Sequence, residues 1–146
     1  MASRLSERRQ AILFAAVVVA AIAGLYAATQ LIQPASVQPS VVHAVHLEVT
    51  GAGWTISYDA ILTANNTVFS LLIEASHTLG FPVAYVPYEI PRGMFVTAIN
   101  GSVNGDGGRY WQYWVSGAYG DVAADLRVLH DHDSVLWKFV SSVEGG

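Results

Sequence analysis

The residues best suited to chemistry are histidines and late aspartates. His43 and His46 sit three apart, and His130-Asp131-His132-Asp133 form a continuous run. Imidazole nitrogens and carboxylate oxygens are ligands for zinc or copper when a fold brings three or four together. On a regular strand His43 and His46 point to opposite faces, which argues against a joint site. The His130–Asp133 run falls where a polar turn is expected. The reading therefore assigns no metal and no cofactor. Residues 104–108 (NGDGG) resemble a calcium loop only superficially, because the spaced acids and terminal glutamate of an EF-hand are missing. Asp121, Asp125, Asp131 and Asp133 form no acid–base pair by spacing. Neither a Gly-x-Ser-x-Gly elbow, a His-Glu-x-x-His pair nor a phosphate loop occurs. The expectation is a protein that is not an enzyme.

Recognition is better served. Residues 110–115 (YWQYWV) read as an aromatic strand. Alternation puts Trp111, Tyr113 and Val115 on one face and Tyr110, Gln112 and Trp114 on the other. Residues 135–140 (VLWKFV) alternate likewise, with Val135, Trp137 and Phe139 opposite Leu136, Lys138 and Val140. A helix covers one face of a sheet, so Trp111, Tyr113, Trp137 and Phe139 are core. Tyr110, Gln112, Trp114 and Lys138 remain on the other face, beside the glycine-rich loop that begins at Asn104. Aromatic rings next to polar groups suit ring stacking with hydrogen bonding. These five residues are the candidate ligand-binding set.

The elements that must position them are legible. Residues 41–49 and 54–62 alternate as two strands about the turn at 50–53, giving a hairpin. Asn65-Asn66-Thr67 supplies helix-capping side chains, and Asn65 and Asn100 each open an N-glycosylation pattern. Val68, Leu71, Leu72, Ala75 and Leu79 then recur at helical spacing up to Gly80 and Pro82. Residues 83–88 and 94–99 are extended, and Asn100-Gly101 marks a tight turn whose central positions need positive φ. The order strand, strand, helix, several strands predicts an α+β domain: a β-grasp-like mixed sheet with one packed helix.

That order, with residues 67–72 (TVFSLL), 95–101 (FVTAING), 110–117 (YWQYWVSG), Ala124-Asp125 and 133–139 (DSVLWKF), resembles the transcobalamin-like C-terminal domain family across residues 41–140. The resemblance implies a β-grasp-like fold and, as one alternative, a cobalamin- or corrinoid-binding accessory role. Two turns depart from the family pattern. Ser116-Gly117 stands where Asn-Gly is usual, and His132-Asp133 where Gly-Asp is usual. A non-glycine residue in such a turn carries backbone strain.

Ahead of the domain lies an uncharged run of 22 residues, 11–32, preceded by Arg4, Arg8 and Arg9. About 20 apolar helical residues cross a hydrocarbon core of ~30 Å. Ala21-Ile22-Ala23 offers a signal-peptidase pattern, but the apolar character continues beyond it, which favours a retained anchor. Basic flanks stay in the cytoplasm. The expected order is a basic leader (1–10), a transmembrane signal anchor (11–32), a Pro/Ser linker (33–40) and an extracytoplasmic domain (41–146), released if the signal is cleaved. Beyond the anchor ten acids face four bases, a balance of −6. Such a domain repels phosphate, so nucleic acid is not an expected partner. With no cysteine the domain is held by its core alone. The expected function is a membrane-anchored, non-catalytic binding domain for a small ligand, glycan or protein. The alternative from a different class is a structural surface or filament subunit that self-associates.

Overall fold

The computed structural model describes residues 2–31, 40–90 and 92–141, with side chains of the first helix from residue 12 to 27. Two compact units divide near Ser36. The first contains α1 (Ala2–Leu31), a helix apolar on every side along its described stretch, where Ile12, Leu13, Phe14, Val17, Ile22 and Leu25 are all exposed. Among the described residues no helix is long and apolar enough to cross a membrane. The described side chains cover fewer than the ~20 residues a span needs. Of the expected 11–32 span, residue 32 and the side chains of residues 11 and 28–31 lie outside what is described, as does the linker apart from Ser40.

The second unit is α+β. Its strands are β1 (Val42–Thr50), β2 (Thr55–Thr63), β3 (Val83–Glu89), β4 (Arg92–Ile99), β5 (Ser102–Val103), β6 (Arg109–Val115), β7 (Ala118–Tyr119) and β8 (Ser134–Ser141), with α2 (Val68–Leu79) after β2. The main sheet has the order β2-β1-β8-β6-β7. β1 and β8 run parallel at its centre, and every other pairing is antiparallel. This is the mixed sheet with a packed helix anticipated from element order. The chain closes it by returning its last strand beside its first.

Local signals place α2. Thr67 is the N-cap: its hydroxyl accepts from the Ser70 backbone N–H, while Ser70 Oγ accepts from the Thr67 N–H. Two otherwise orphaned donors are thereby satisfied. Gly80 ends the helix in the left-handed region at φ 75°. Val68, Leu71, Leu72 and Ala75 then bury against Val45, Leu47, Val49 and Val135 of the sheet. The tight turns follow their chemistry too. Asn100 and Gly101 have φ of 46° and 82° between paired Ile99 and Ser102.

One feature differs from expectation. β3, β4 and β5 do not extend the main sheet but form a second, three-stranded one. β3 carries Pro87 and is its outer strand, where a missing N–H is tolerated. Val96 and Ile99 of β4 join the common core, whereas Tyr85, Val86, Tyr88 and Phe95 stay exposed.

Candidate functional site

The inner face of the main sheet is a packed aromatic layer. Trp111 stacks between Trp54 (5.8 Å between ring centroids) and Phe139 (5.1 Å). Tyr113 lies 5.3 Å from Trp137. Arg109 caps the Phe139 ring at 5.1 Å. The polar tips are mostly satisfied: Trp111 Nε1 donates to the Ser102 carbonyl at 2.8 Å, and the Tyr113 hydroxyl to the Val122 carbonyl at 2.6 Å. Burial raises the Tyr113 phenol above its ordinary pKa. Trp137 Nε1, by contrast, is buried with no hydrogen-bond partner among the described residues.

The outer face holds most of the expected set together. Gln112 lies opposite Lys138, and Trp114 opposite Leu136. Lys138 Nζ sits 5.9 Å from the Trp114 ring centroid, inside cation–π range. Tyr119 meets the other side of the cluster edge-to-face with Trp114 at 5.5 Å. Gln112 Oε1 is buried and has no partner among the described residues. Tyr110 is exposed on the same face, opposite Val140.

Asn104 is elsewhere employed. Its Nδ2 donates to the Val96 carbonyl at 2.9 Å and its Oδ1 accepts from the Trp111 N–H at 2.8 Å. Both ends of its amide tie β4 to β6, so it positions the aromatic strand and offers a ligand little. Tyr119 was readable in principle. A two-residue turn at Ser116-Gly117 forces residue 119 opposite residue 114.

The histidines gather at one end of the main sheet. Ala44 takes φ 52°, breaking strict alternation, so Val42 and Val45 are both buried and their partners Thr63 and Ala60 are too. His43 and His46 thus both fall on the accessible side, which corrects the expectation of opposite faces. They join different carboxylates. His43 Nδ1 lies 3.3 Å from Asp131 Oδ1, and His46 Nδ1 lies 2.6 Å from Asp59 Oδ1. The His43 backbone N–H holds Asp131 below the ordinary carboxylate range. Asp133 accepts from the His130 N–H and the Ser116 hydroxyl, each at 2.8 Å, which knits the two departing turns together. Among the described residues no three of these groups are arranged to hold a metal ion.

A fourth cluster lies along α2. Glu74 accepts from the Tyr58 hydroxyl (2.6 Å), the Thr63 hydroxyl and Asn65 Nδ2 (2.6 Å). Burial pushes its pKa up, but the three donors outweigh that and hold it below the ordinary value. The carboxylate faces a groove of about 400 Å³ whose other wall includes Phe69 and Tyr85, edge-to-face at 4.8 Å. Sequence spacing gave no sign of this network, because its donors lie on β2 and the following loop while the acceptor lies on α2.

Comparison with known proteins fits this fold. A Ruminococcus gnavus protein for which metal binding has been suggested matches with TM-score 0.56 at 17% identity, over 68% of this chain and 98% of that one. Haptocorrin, solved in complex with Cbi, matches with TM-score 0.54 at 18% identity over 71% of this chain. The chain spans only 26% of haptocorrin. At these identities the likeness is one of fold, and the fold is transcobalamin-like. No curated protein sequence matches the chain. The family model of a domain of unknown function, DUF4430, matches residues 65–141, more than half of the chain, and the chain belongs to that family.

Proposed function

We propose that this chain is a membrane-anchored, extracytoplasmic binding module without catalysis of its own, which takes a small ligand or glycan on the outer face of a β-grasp-like sheet. The observation that carries the reading is Gln112 Oε1, a buried acceptor without a partner among the described residues, beside the Lys138–Trp114–Tyr119 cluster. An unpaired buried acceptor costs about 1–3 kcal/mol, which a ligand hydroxyl or amide N–H offsets on binding. Trp114 supplies a stacking surface, Lys138 a donor, and Tyr110 the rim. A sugar ring, with one apolar face and a fringe of hydroxyls, meets all of these.

The anchor reading rests on the uncharged run 11–32 and on α1, whose described side chains are apolar on every side. Alkaline carbonate extraction of cell membranes tests it: the full chain stays with the pellet, and a soluble chain contradicts it. For the site, the full chain in lipid nanodiscs is applied to a glycan array beside Trp114→Ala. Binding that the variant loses supports the assignment, and equal binding removes it.

A second reading, self-association as a surface subunit, is favoured by Ile61 and Leu62, exposed on the edge strand β2. Concentration-dependent sedimentation separates it from the first.

A further inference from the structure

The outward side of α2 departs from the polar surface expected of an amphipathic helix. Phe69 and Ile73, one turn apart, are apolar and half-buried there, beside a second stripe of Ser70, Glu74 and Thr78. Both stripes line the groove of about 400 Å³ that Tyr85 walls on the β3 side. Pockets that hold small molecules begin at about 300 Å³. None of the groove's residues belongs to the outer-face set, and α2 packs on the inner face of the main sheet.

Glu74 is half-buried, and every group that holds its carboxylate is neutral. The Tyr58 hydroxyl donates to Oε1, and the Thr63 hydroxyl and Asn65 Nδ2 donate to Oε2. These donors keep the group ionised, with its pKa below the ordinary value. Among the described residues no lysine, arginine or histidine forms an ion pair with it, His77 of the same groove included. An ionised carboxylate offers about four acceptor sites, of which three are taken. The remaining capacity is on Oε1 and suits an N–H donor. The uncompensated charge suits a donor that is itself a cation. Neighbouring hydroxyls do not compete for it, since Ser70 Oγ donates to the Thr67 carbonyl and Thr78 Oγ1 to the Glu74 carbonyl. Phe69 and Tyr85, edge-to-face at 4.8 Å, add an aromatic wall that attracts positive charge. Phe69 precedes Glu74 by about 7.5 Å along the helix axis, so a short apolar body bridges the two.

We propose that this groove binds a small organic cation, a primary ammonium carried on a flat apolar body, with the ammonium on the Glu74 carboxylate and the body against Phe69, Ile73 and Tyr85. The site is independent of the outer face. There the protein offers a stacking ring beside a cation, and here it offers an aromatic wall beside an anion.

Glu74→Gln also loosens α2 from β2, so the charge is tested on the wild-type chain. The full chain, ¹⁵N-labelled in nanodiscs of zwitterionic lipid, is titrated with 2-phenylethylammonium and separately with 2-phenylethanol, a neutral molecule of the same size. Amide resonances of residues 69–78 move and saturate with the ammonium, the alcohol binds at least about tenfold more weakly, and the Trp114 indole N–H stays in place. Tyr85→Ala changes an exposed side chain and weakens the ammonium by about fivefold, whereas Trp114→Ala leaves its affinity unchanged. No saturable shift in residues 69–78, equal binding of the alcohol, or unchanged affinity in Tyr85→Ala each overturns the site. Shifts confined to α1 or to Trp114 would put the cation in the lipid or on the outer face and equally remove this groove, while leaving the outer-face reading standing.

Discussion

The two faces of β6 and β8 are built from alternate residues of the same strands, yet they do different work. On the inner face Trp111, Tyr113, Trp137 and Phe139 are buried under α2, β4 and the segment 119–124. On the outer face Gln112, Trp114 and Lys138 are only half-buried and lean on one another. Of the inner aromatics, Trp111 and Tyr113 find acceptors in the Ser102 and Val122 carbonyls, while Trp137 Nε1 has none among the described residues. The outer cluster is half-exposed, and its carboxamide oxygen, itself buried, has no partner among the described residues. The same residue types are therefore buried where a second layer arrives and left half-exposed where none does.

The sharpest way to break this comparison is truncation on each side. Trp111→Ala removes a ring stacked between Trp54 and Phe139 and is expected to cost about 3–5 kcal/mol in chemical unfolding. Trp114→Ala is expected to cost about 1 kcal/mol while abolishing recognition. Equal costs would mean that the outer ring is core as well.

Next in size is Glu74, which ties α2 to β2 outside either face. Glu74→Gln places an NH₂ group among donors and is expected to cost about 1–3 kcal/mol. Its folded pKa is lowered, so its contribution is complete above the ordinary glutamate value, about 4.3, and is lost as pH falls through the lowered one. Acid unfolding of the variant should therefore show a shallower pH dependence than wild type.

A smaller effect tests the inner layer's polar tips. Tyr113→Phe loses the bond to the Val122 carbonyl and is expected to cost about 1 kcal/mol at neutral pH. The Tyr113 pKa is raised, so its stabilisation is present below the ordinary tyrosine value, about 10, and fades as pH climbs through the raised one. Alkaline melting curves of the two proteins should converge. The smallest effect is at the turn: His132 has φ 68°, and His132→Gly is expected to stabilise by about 0.5 kcal/mol in thermal melts.

Much of this was legible from spacing. The alternation of residues 110–115 and 135–139 separates buried from half-exposed residues, since Trp111 and Trp137 are buried and Trp114 is not, but it fails at Val140, which is buried although it alternates with the outer set. Thr67, Gly80 and Asn100-Gly101 mark their element ends because each carries out local chemistry that needs no distant partner. What spacing cannot carry is anything set by a distant carbonyl or carboxylate. Asn104 looked like a loop-tip ligand residue but is consumed by Val96 and Trp111. Trp137 looked like plain core because whether its N–H finds an acceptor depends on which loop passes over it. The side on which His43 and His46 lie turned on one left-handed residue, Ala44, that has no mark in the sequence.

The most direct test of the account is equilibrium binding of the best glycan from the array to wild type, Trp114→Ala and Tyr85→Ala. Tyr85 is an exposed aromatic on β3, remote from β6 in sheet order, and serves as the control. The account predicts a loss of at least about tenfold, roughly 1.4 kcal/mol, in Trp114→Ala and none in Tyr85→Ala. Unchanged affinity in Trp114→Ala would contradict it.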